Sequence, residues 1–362
     1  MRVLAPHEER HDVTLRPAAT AKVWLGAGQG HETVAVPGVA LGHADALVAI
    51  ELSAVCESDV RAVAGRRAAA VPLVLGHESV GRIIALGEDG VKALDGSELR
   101  IGDRVVWSVT VSCGTCDRCR SGLAQKCRAL QKYGHERIEP RWELTGGFAT
   151  HAHLRAGTAI VRVPEALPAA VLAPASCATA TAWSAVSRGA AGRVLEGARV
   201  LVFGAGLVGL SAAAIAADSG ALVTVVDPSA ERRAFAERFG ATGLVAATNP
   251  AGIVIEASGR SVSEAIAAAD VGGSVVLVGS AFSAEPVPFD AEDAVHRLLT
   301  ISGVHDYAAR DLVAAAAFLA GTGRAYPFAE AVGAVYPLAE VDAALTAASA
   351  PDAPLRVAIN PR

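Results

Sequence analysis

Six cysteines carry most of the chemistry that can be read from this chain, and four of them are bunched. Cys113, Cys116, Cys119 and Cys127 follow the spacing C-x2-C-x2-C-x7-C around Gly114 and Gly122. Four thiolates so spaced can close on one tetrahedral zinc. A redox pair or an iron–sulfur site is the alternative, but neither uses this spacing in an ordinary globular context. Bunching without an export signal points to metal rather than disulfides. Such an ion would fix a loop too polar to fold by burial. Cys56, in AVCESD, and Cys177 stand apart, and His77 and Glu78 lie in LGHES. One Cys or His near a strand is by default a packed core residue. Cys56, His77 and Cys177 together make a Cys2His set, which holds zinc with one position open for a reacting group.

A second constellation runs from Val200 to Asp227, VLVFGAGLVGLSAAAIAADSGALVTVVD. Gly204, Gly206 and Gly209 follow a short apolar run in G-x-G-x-x-G spacing. Gly204 permits a tight turn, Gly206 lets backbone approach a pyrophosphate, and Gly209 lets a helix pack on the sheet. Leu207 and Val208 open that helix, whose free N–H groups and dipole favour phosphate. Asp227, at the tip of the next apolar run, can accept hydrogen bonds from both adenosine-ribose hydroxyls. Val200–Ala217 is also long and apolar enough to resemble a membrane span. Three glycines within it and no basic flank argue against that. The reading is therefore an NAD site, with Arg232 and Arg233 close enough to complicate the exclusion of a 2′-phosphate.

These residues need a scaffold. From Lys22 to about Ile101 short apolar runs, 46–52 and 80–86, lie between Gly and Pro punctuation and read as strands. Pro164 to Pro174 is a connection, and Cys177 opens an amphipathic helix. After Asp227 a helix runs from Ser229 to Phe239. Gly243–Ala247 reads as a weak strand and Ile253–Gly259 as a strong one. The few residues between them are too short for an ordinary parallel crossover, so a rudimentary sheet edge is expected. A helix over Ser261–Asp270, a strand over Ser274–Val278 and a last sheet strand at Ile301–Gly303 follow. From about Tyr307 an Ala-rich helix leads into mixed structure. The length of 362 residues suits about two domains, and 52% apolar content excludes a disordered chain. A net charge of −5 without a dense basic run argues against nucleic acid. The first 17 residues are charged throughout and read as a loose extension without a secretory leader. A soluble, cytoplasmic protein without a membrane partner is expected.

Taken together, Cys56-Glu57-Ser58-Asp59, Gly76-His77-Glu78, Gly102-Asp103-Arg104-Val105, the cysteine lobe, Gly146-Gly147-Phe148-Ala149, Cys177 and the Gly204 motif resemble, in order, a zinc-dependent medium-chain dehydrogenase/reductase. The resemblance covers most of the chain from about Lys22. It implies an α/β fold: a GroES-like β-rich catalytic domain (1–178) with a structural zinc lobe at about 113–127, a Rossmann doubly wound parallel sheet (179–304), and a return to the catalytic domain (305–362). It implies two zinc ions per chain. Cys56, His77 and Cys177 would hold the catalytic one, Glu78 could swap in as a ligand, and Asp59 would orient His77. NAD would take hydride from a small-molecule alcohol, or return it to a carbonyl, in a homodimer or homotetramer. Ser58 would accept the first proton. Many relatives carry a relay His where this chain has Arg61, and arginine is no base at ordinary pH.

The stretch from Trp107 to Glu136 resembles a subgroup associated with phosphonate metabolism. With Arg61 and the cations Lys132, His135, Arg137 and Arg141 beside the expected pocket, it points to a polyol, a cyclitol, or a phosphonate- or phosphate-bearing alcohol. Two other readings stay open. One is a zinc-free enone or quinone reductase of the same superfamily, which would not need the thiolates. The other is a non-catalytic NAD-binding protein.

Overall fold

Runs of Val, Ile and Ala broken by Gly and Pro set most of the first half of the chain into strands. The computed structural model describes residues 11–281 and 286–361. It divides into two units, Met1–Cys177 with Ala329–Arg362, and Ala178–Phe328.

In the first unit the strand Ala46–Ala54 lies at the centre of a sheet. It pairs antiparallel with Glu78–Leu86, with His151–Leu154 and, through Ser53 and Ala54, with Arg356–Asn360. Arg104–Val111 extends the sheet beyond Glu78–Leu86. Val332–Pro337 lies outside Arg356–Asn360, in parallel. One core packs Trp24, Leu41, Leu73, Phe148, Val341 and Ile359, and another packs Ile50, Ile83, Trp107, Tyr133 and Trp142. Each such side chain contributes about 1.5–3 kcal/mol on burial. Residues 11–17 depart from the expected loose extension. They belong to the strand His11–Trp24, which pairs with His31–Leu41 through His11–Thr14 and again through Ala19–Trp24, with an irregularity between the two stretches. Met1–Arg10 lie outside the described residues.

In the second unit Arg199–Phe203 is central, flanked in parallel by Leu222–Val226 and Ala251–Glu256. Ala241–Leu244 closes one edge, and Ala269–Leu277 followed by Thr300–Gly303 closes the other. This is the doubly wound order, built on β-branched strands with Val202, Val254 and Val276 fully buried. The weak strand does form an edge, and the strong strand lies three places away, with Leu222–Val226 and Arg199–Phe203 between them. Residues 245–250 join them with no helix. A groove lined by Val200, Leu201, Val223, Thr224, Thr248 and Pro250 lies beside this crossover.

The segment 305–328, expected with the first domain, falls in the second unit. Its helix Ala309–Ala320 ends in an aromatic cluster that explains the placement. Phe318 lies 6.1 Å from Trp183, and Phe328 meets Phe239 edge-on at 5.0 Å. Among the described residues no single helix is long and apolar enough to cross a membrane.

Candidate metal centre and dinucleotide loop

Strand register assembles the metal centre. Ala54 is the ladder partner of Glu78, so the end of one strand meets the start of the next. Cys56 follows the first strand and N-caps the helix Glu57–Val63, and His77 immediately precedes the second strand. Cys177 arrives after the turn Ala173–Ser176, where Ser176 Oγ donates to the His77 carbonyl at 3.3 Å. One ligand atom from each of Cys56, His77, Glu78 and Cys177 lies within 4.8 Å of the others. Zn–S and Zn–N bonds of about 2.0–2.3 Å place ligand atoms about 3.3–3.8 Å apart around one tetrahedral ion. Two thiols, an imidazole and a carboxylate, all within 4.8 Å of one another, fit zinc in donor type and stand close enough to close on one ion.

The protonation states support that fit. Cys56 takes a hydrogen bond from Cys177, which with His77 outweighs burial and holds the Cys56 thiol well below its ordinary range. Cys177 is pushed up by the same bond, by burial and by the Cys56 charge. The proton shared between them thus favours the thiolate on Cys56 and the thiol on Cys177. Burial opposes charge on His77, but Asp59 and Cys56 push it up to about 10. Asp59 is fully buried. Its two oxygens accept from the backbone N–H of Cys56 at 2.9 Å and of Gly76 at 3.3 Å. Its distance from His77 Nδ1 is 3.7 Å, so it acts on the ring by charge rather than by a hydrogen bond.

Two neighbours escaped the sequence reading. Arg356 Nε and Nη2 bind the two oxygens of fully buried Glu78 at 2.7 and 2.8 Å, a bidentate clamp. Burial still raises Glu78 to about 7 against the pull of Arg356. Ala358 pairs with Ala54, which brings Arg356 back to the centre, but no local motif marks it. Arg67, the second, donates from Nε to the Ser58 carbonyl at 3.2 Å. Ser58 Oγ and Arg67 Nη2 are buried without a hydrogen-bond partner among the described residues. Arg61 Nε instead meets Glu57 Oε1 at 2.9 Å, the helical i,i+4 pair. Of the later cations, His135 reaches the centre, its ring 5.1 Å from that of His77. Burial, His77 and Arg67 lower it to about 3, so it is neutral. Arg137 and Arg141 are exposed.

The four lobe cysteines also bring one sulfur each within 4.8 Å of the others. Cys127 Sγ stands 3.4 Å from Cys113 Sγ and accepts from the N–H groups of Cys113 and Ala129, both at 3.3 Å. Backbone N–H of Thr115 draws Cys113 down to about 6, the thiolate that a metal requires.

In the second unit Gly204 sits at φ +97°, where only glycine is relaxed. A Cβ at Gly209 would lie 1.9 Å from the Gly204 carbonyl oxygen, whereas one at Gly206 would meet open space. That space adjoins the start of the helix Leu207–Asp218. Asp227 accepts from Ala205 N at 2.8 Å and from Ser229 N at 2.9 Å, which fixes its carboxylate beside the glycine loop. Arg233 is tied to the carbonyls of Asp227 and Pro228 at 2.8 and 2.9 Å. Arg232 is half-buried.

Known proteins are similar to this chain in sequence and fold. The alcohol dehydrogenase GroES-like domain matches residues 42–165, and the zinc-binding dehydrogenase domain matches residues 208–321. An L-threonine 3-dehydrogenase of Streptomyces coelicolor is 33% identical over 293 residues, covering 75% of this chain and 79% of that protein. The chain belongs to the zinc-dependent medium-chain dehydrogenase family. As a medium-chain dehydrogenase it has close structural likenesses. An alcohol dehydrogenase from Thermotoga maritima superposes with a TM-score of 0.86 at 26% identity, covering 95% of this chain and 99% of that one. One from Thermus sp. ATN1 gives 0.80 at 26% identity, covering 95% and 100%. The dehydrogenase is therefore an oxidoreductase of the class that acts on CH–OH groups.

Proposed function

We propose that this dehydrogenase oxidises a small alcohol with NAD, at a centre where Cys56, His77 and Cys177 hold zinc and Glu78 stands behind them. The observation that carries the reading is the convergence of these four side chains within 4.8 Å, buried or nearly so. Zinc held there would supply a Lewis acid that lowers an alcohol's pKa, and the dinucleotide would supply the hydride acceptor. The chain's own residues do the rest. Ser58 offers a buried hydroxyl with no partner among the described residues, suited to take the alcohol proton. Arg61 cannot pass it on, being always charged and paired with Glu57. Ser58 can accept that proton only as it passes its own hydroxyl proton on, and with arginine at 61 the receiver would be water rather than a histidine. Arg356 balances Glu78, so the thiolate side of the centre does not accumulate unpaired negative charge. Asp227 favours the ribose diol of NAD and repels a 2′-phosphate. The four lobe cysteines would hold a second, structural zinc.

The substrate we favour is polyhydroxylated or anionic, and the enzyme a cytoplasmic homo-oligomer. The test begins with metal analysis, expected at two zinc ions per chain. Cys116→Ser should lose zinc and unfold, whereas Cys56→Ala should stay folded, lose one zinc and lose activity. An NAD-coupled screen follows, with simple alcohols, polyols, cyclitols, L-threonine and phosphonate-bearing alcohols. A protein with no metal at Cys56, or one that reduces enones and oxidises no alcohol, would overturn the proposal.

A further inference from the structure

The arginine that could read an anionic substrate is Arg67 rather than Arg61. The helix Glu57–Val63 ends at Ala64, and Gly65 at φ +70° turns the chain back on itself. The turn is closed by Gly65 N to Ala62 O at 2.9 Å and Arg66 N to Arg61 O at 2.8 Å. It returns Arg67 toward the first turn of the same helix, where its Nε is held by the Ser58 carbonyl. One end of the guanidinium is thus anchored beside the residue proposed to take the substrate proton. Nη2 is buried and meets no acceptor among the described residues.

Nearby acceptors do not account for it. Asp59 accepts from the N–H groups of Cys56 and Gly76 and makes no hydrogen bond to Arg67 Nη2. Asp59 and Cys56 act on Arg67 through charge alone. His135 faces Arg67 from another segment as a neutral ring, and its Nδ1 lies 3.0 Å from the Tyr133 carbonyl oxygen. A buried guanidinium N–H left without an acceptor is unfavourable, and an oxyanion is its best complement.

We infer that Arg67 is a specificity-determining residue that binds an oxyanion of the substrate, a carboxylate or a phosphonate, while the hydroxyl reacts at the Cys56–His77–Cys177 centre. The inference deepens the proposed function and rests on it for the reaction, but not for the binding. It makes the substrate a hydroxy acid or a hydroxyphosphonate rather than a neutral polyol.

The experiment uses the purified, metal-loaded enzyme with three probes of similar length: 1,3-propanediol, 3-hydroxypropionate and 2-hydroxyethylphosphonate. At least one anion should exceed the diol in kcat/KM by tenfold or more, and the preferred anion names the group. Arg67→Met should remove that advantage, mainly through KM, and Arg67→Lys should restore part of it. Calorimetric titration of the same anions, without cofactor, should show binding weakened tenfold or more in Arg67→Met. Equal losses on diol and anion, or unchanged anion binding, would overturn the assignment. If the wild type oxidises none of the probes yet binds an anion through Arg67, the assignment stands and the proposed reaction falls. Circular dichroism and zinc content of each variant separate a lost contact from a lost fold, and a misfolded Arg67→Met is replaced by Arg67→Gln.

Discussion

Replacing Arg356 by Met strips Glu78 of its only ion-pair partner among the described residues while roughly keeping side-chain volume. Glu78 is fully buried and bound at both oxygens. Removing one member of such a pair costs about 3–5 kcal/mol, because the other charge is left in a low dielectric. The metal-free protein is the clean background, since an ion would add its own charge. Tryptophan fluorescence can be confined to the relevant unit. Trp24, Trp107 and Trp142 lie in it, and Trp183 does not, so a Trp183→Phe background reports the first unit alone. With a urea dependence of about 2 kcal/mol per molar, the midpoint should fall by about 1.5–2.5 M at pH 8.5. The loss should shrink at pH 5.5, and the sign follows from Glu78. Its folded pKa is already raised to about 7 from 4.5. A raised acid stabilises the fold below its unfolded pKa and loses that contribution as pH climbs through the folded one. Without Arg356 the folded value rises further, so protonation at pH 5.5 relieves the mutant more than the wild type. Adding Glu78→Gln should recover at least half of the loss at pH 8.5. A midpoint shift below about 0.5 M, or one equal at both pH values, would refute the buried-pair account.

Three further outcomes can be checked. Gly209→Ala should destabilise the second unit by about 2 kcal/mol or more and weaken NAD binding, read by Trp183 fluorescence and by titration, because the added carbon would sit 1.9 Å from a carbonyl oxygen. Asp227→Ala should cut the kcat/KM preference for NAD over NADP roughly tenfold; a preference left intact would detach Asp227 from the ribose. Zinc entering the Cys56 centre at pH 7.5 should release about two protons, one from His77 and one from Cys177, so affinity should climb with pH until those groups are deprotonated. Calorimetry in buffers of different ionisation enthalpy measures the release, and a value near zero contradicts the shared-proton description.

Spacing made part of this site legible. The lobe cysteines and the glycine loop are local, so residue type and separation alone limit what they can do. Cys56 and His77 were readable as candidates because each flanks a strand, but their meeting depends on the Ala54–Glu78 register, which sequence does not reveal. Arg356 was missed because it lies 278 residues from Glu78 and no turn or motif surrounds it. Arg61 stands out in the sequence by its position after Cys56. Helical periodicity explains why it is occupied, since i,i+4 places it over Glu57. Arg67 became visible only once Gly65 was seen to reverse the chain. The boundary near 305 failed for a related reason: Phe318, Tyr326 and Phe328 look like any apolar tail until Phe239 joins them.

The helix-free crossover gives this enzyme a place to accept new sequence. Residues 245–250 are all exposed, and they join strands that do not pair with one another. Leu244 accepts from Asp227 N at 3.1 Å, so the start of the crossover lies at the dinucleotide end of the sheet. Ala251 begins the next parallel strand at the opposite end. An insertion near Asn249 therefore enters far from Asp227, and doubling the loop costs only about 0.6 kcal/mol in closure entropy. A grafted helix could lie in the groove over Val200 and Val223, and a reporter domain could be spliced there with the glycine loop left untouched.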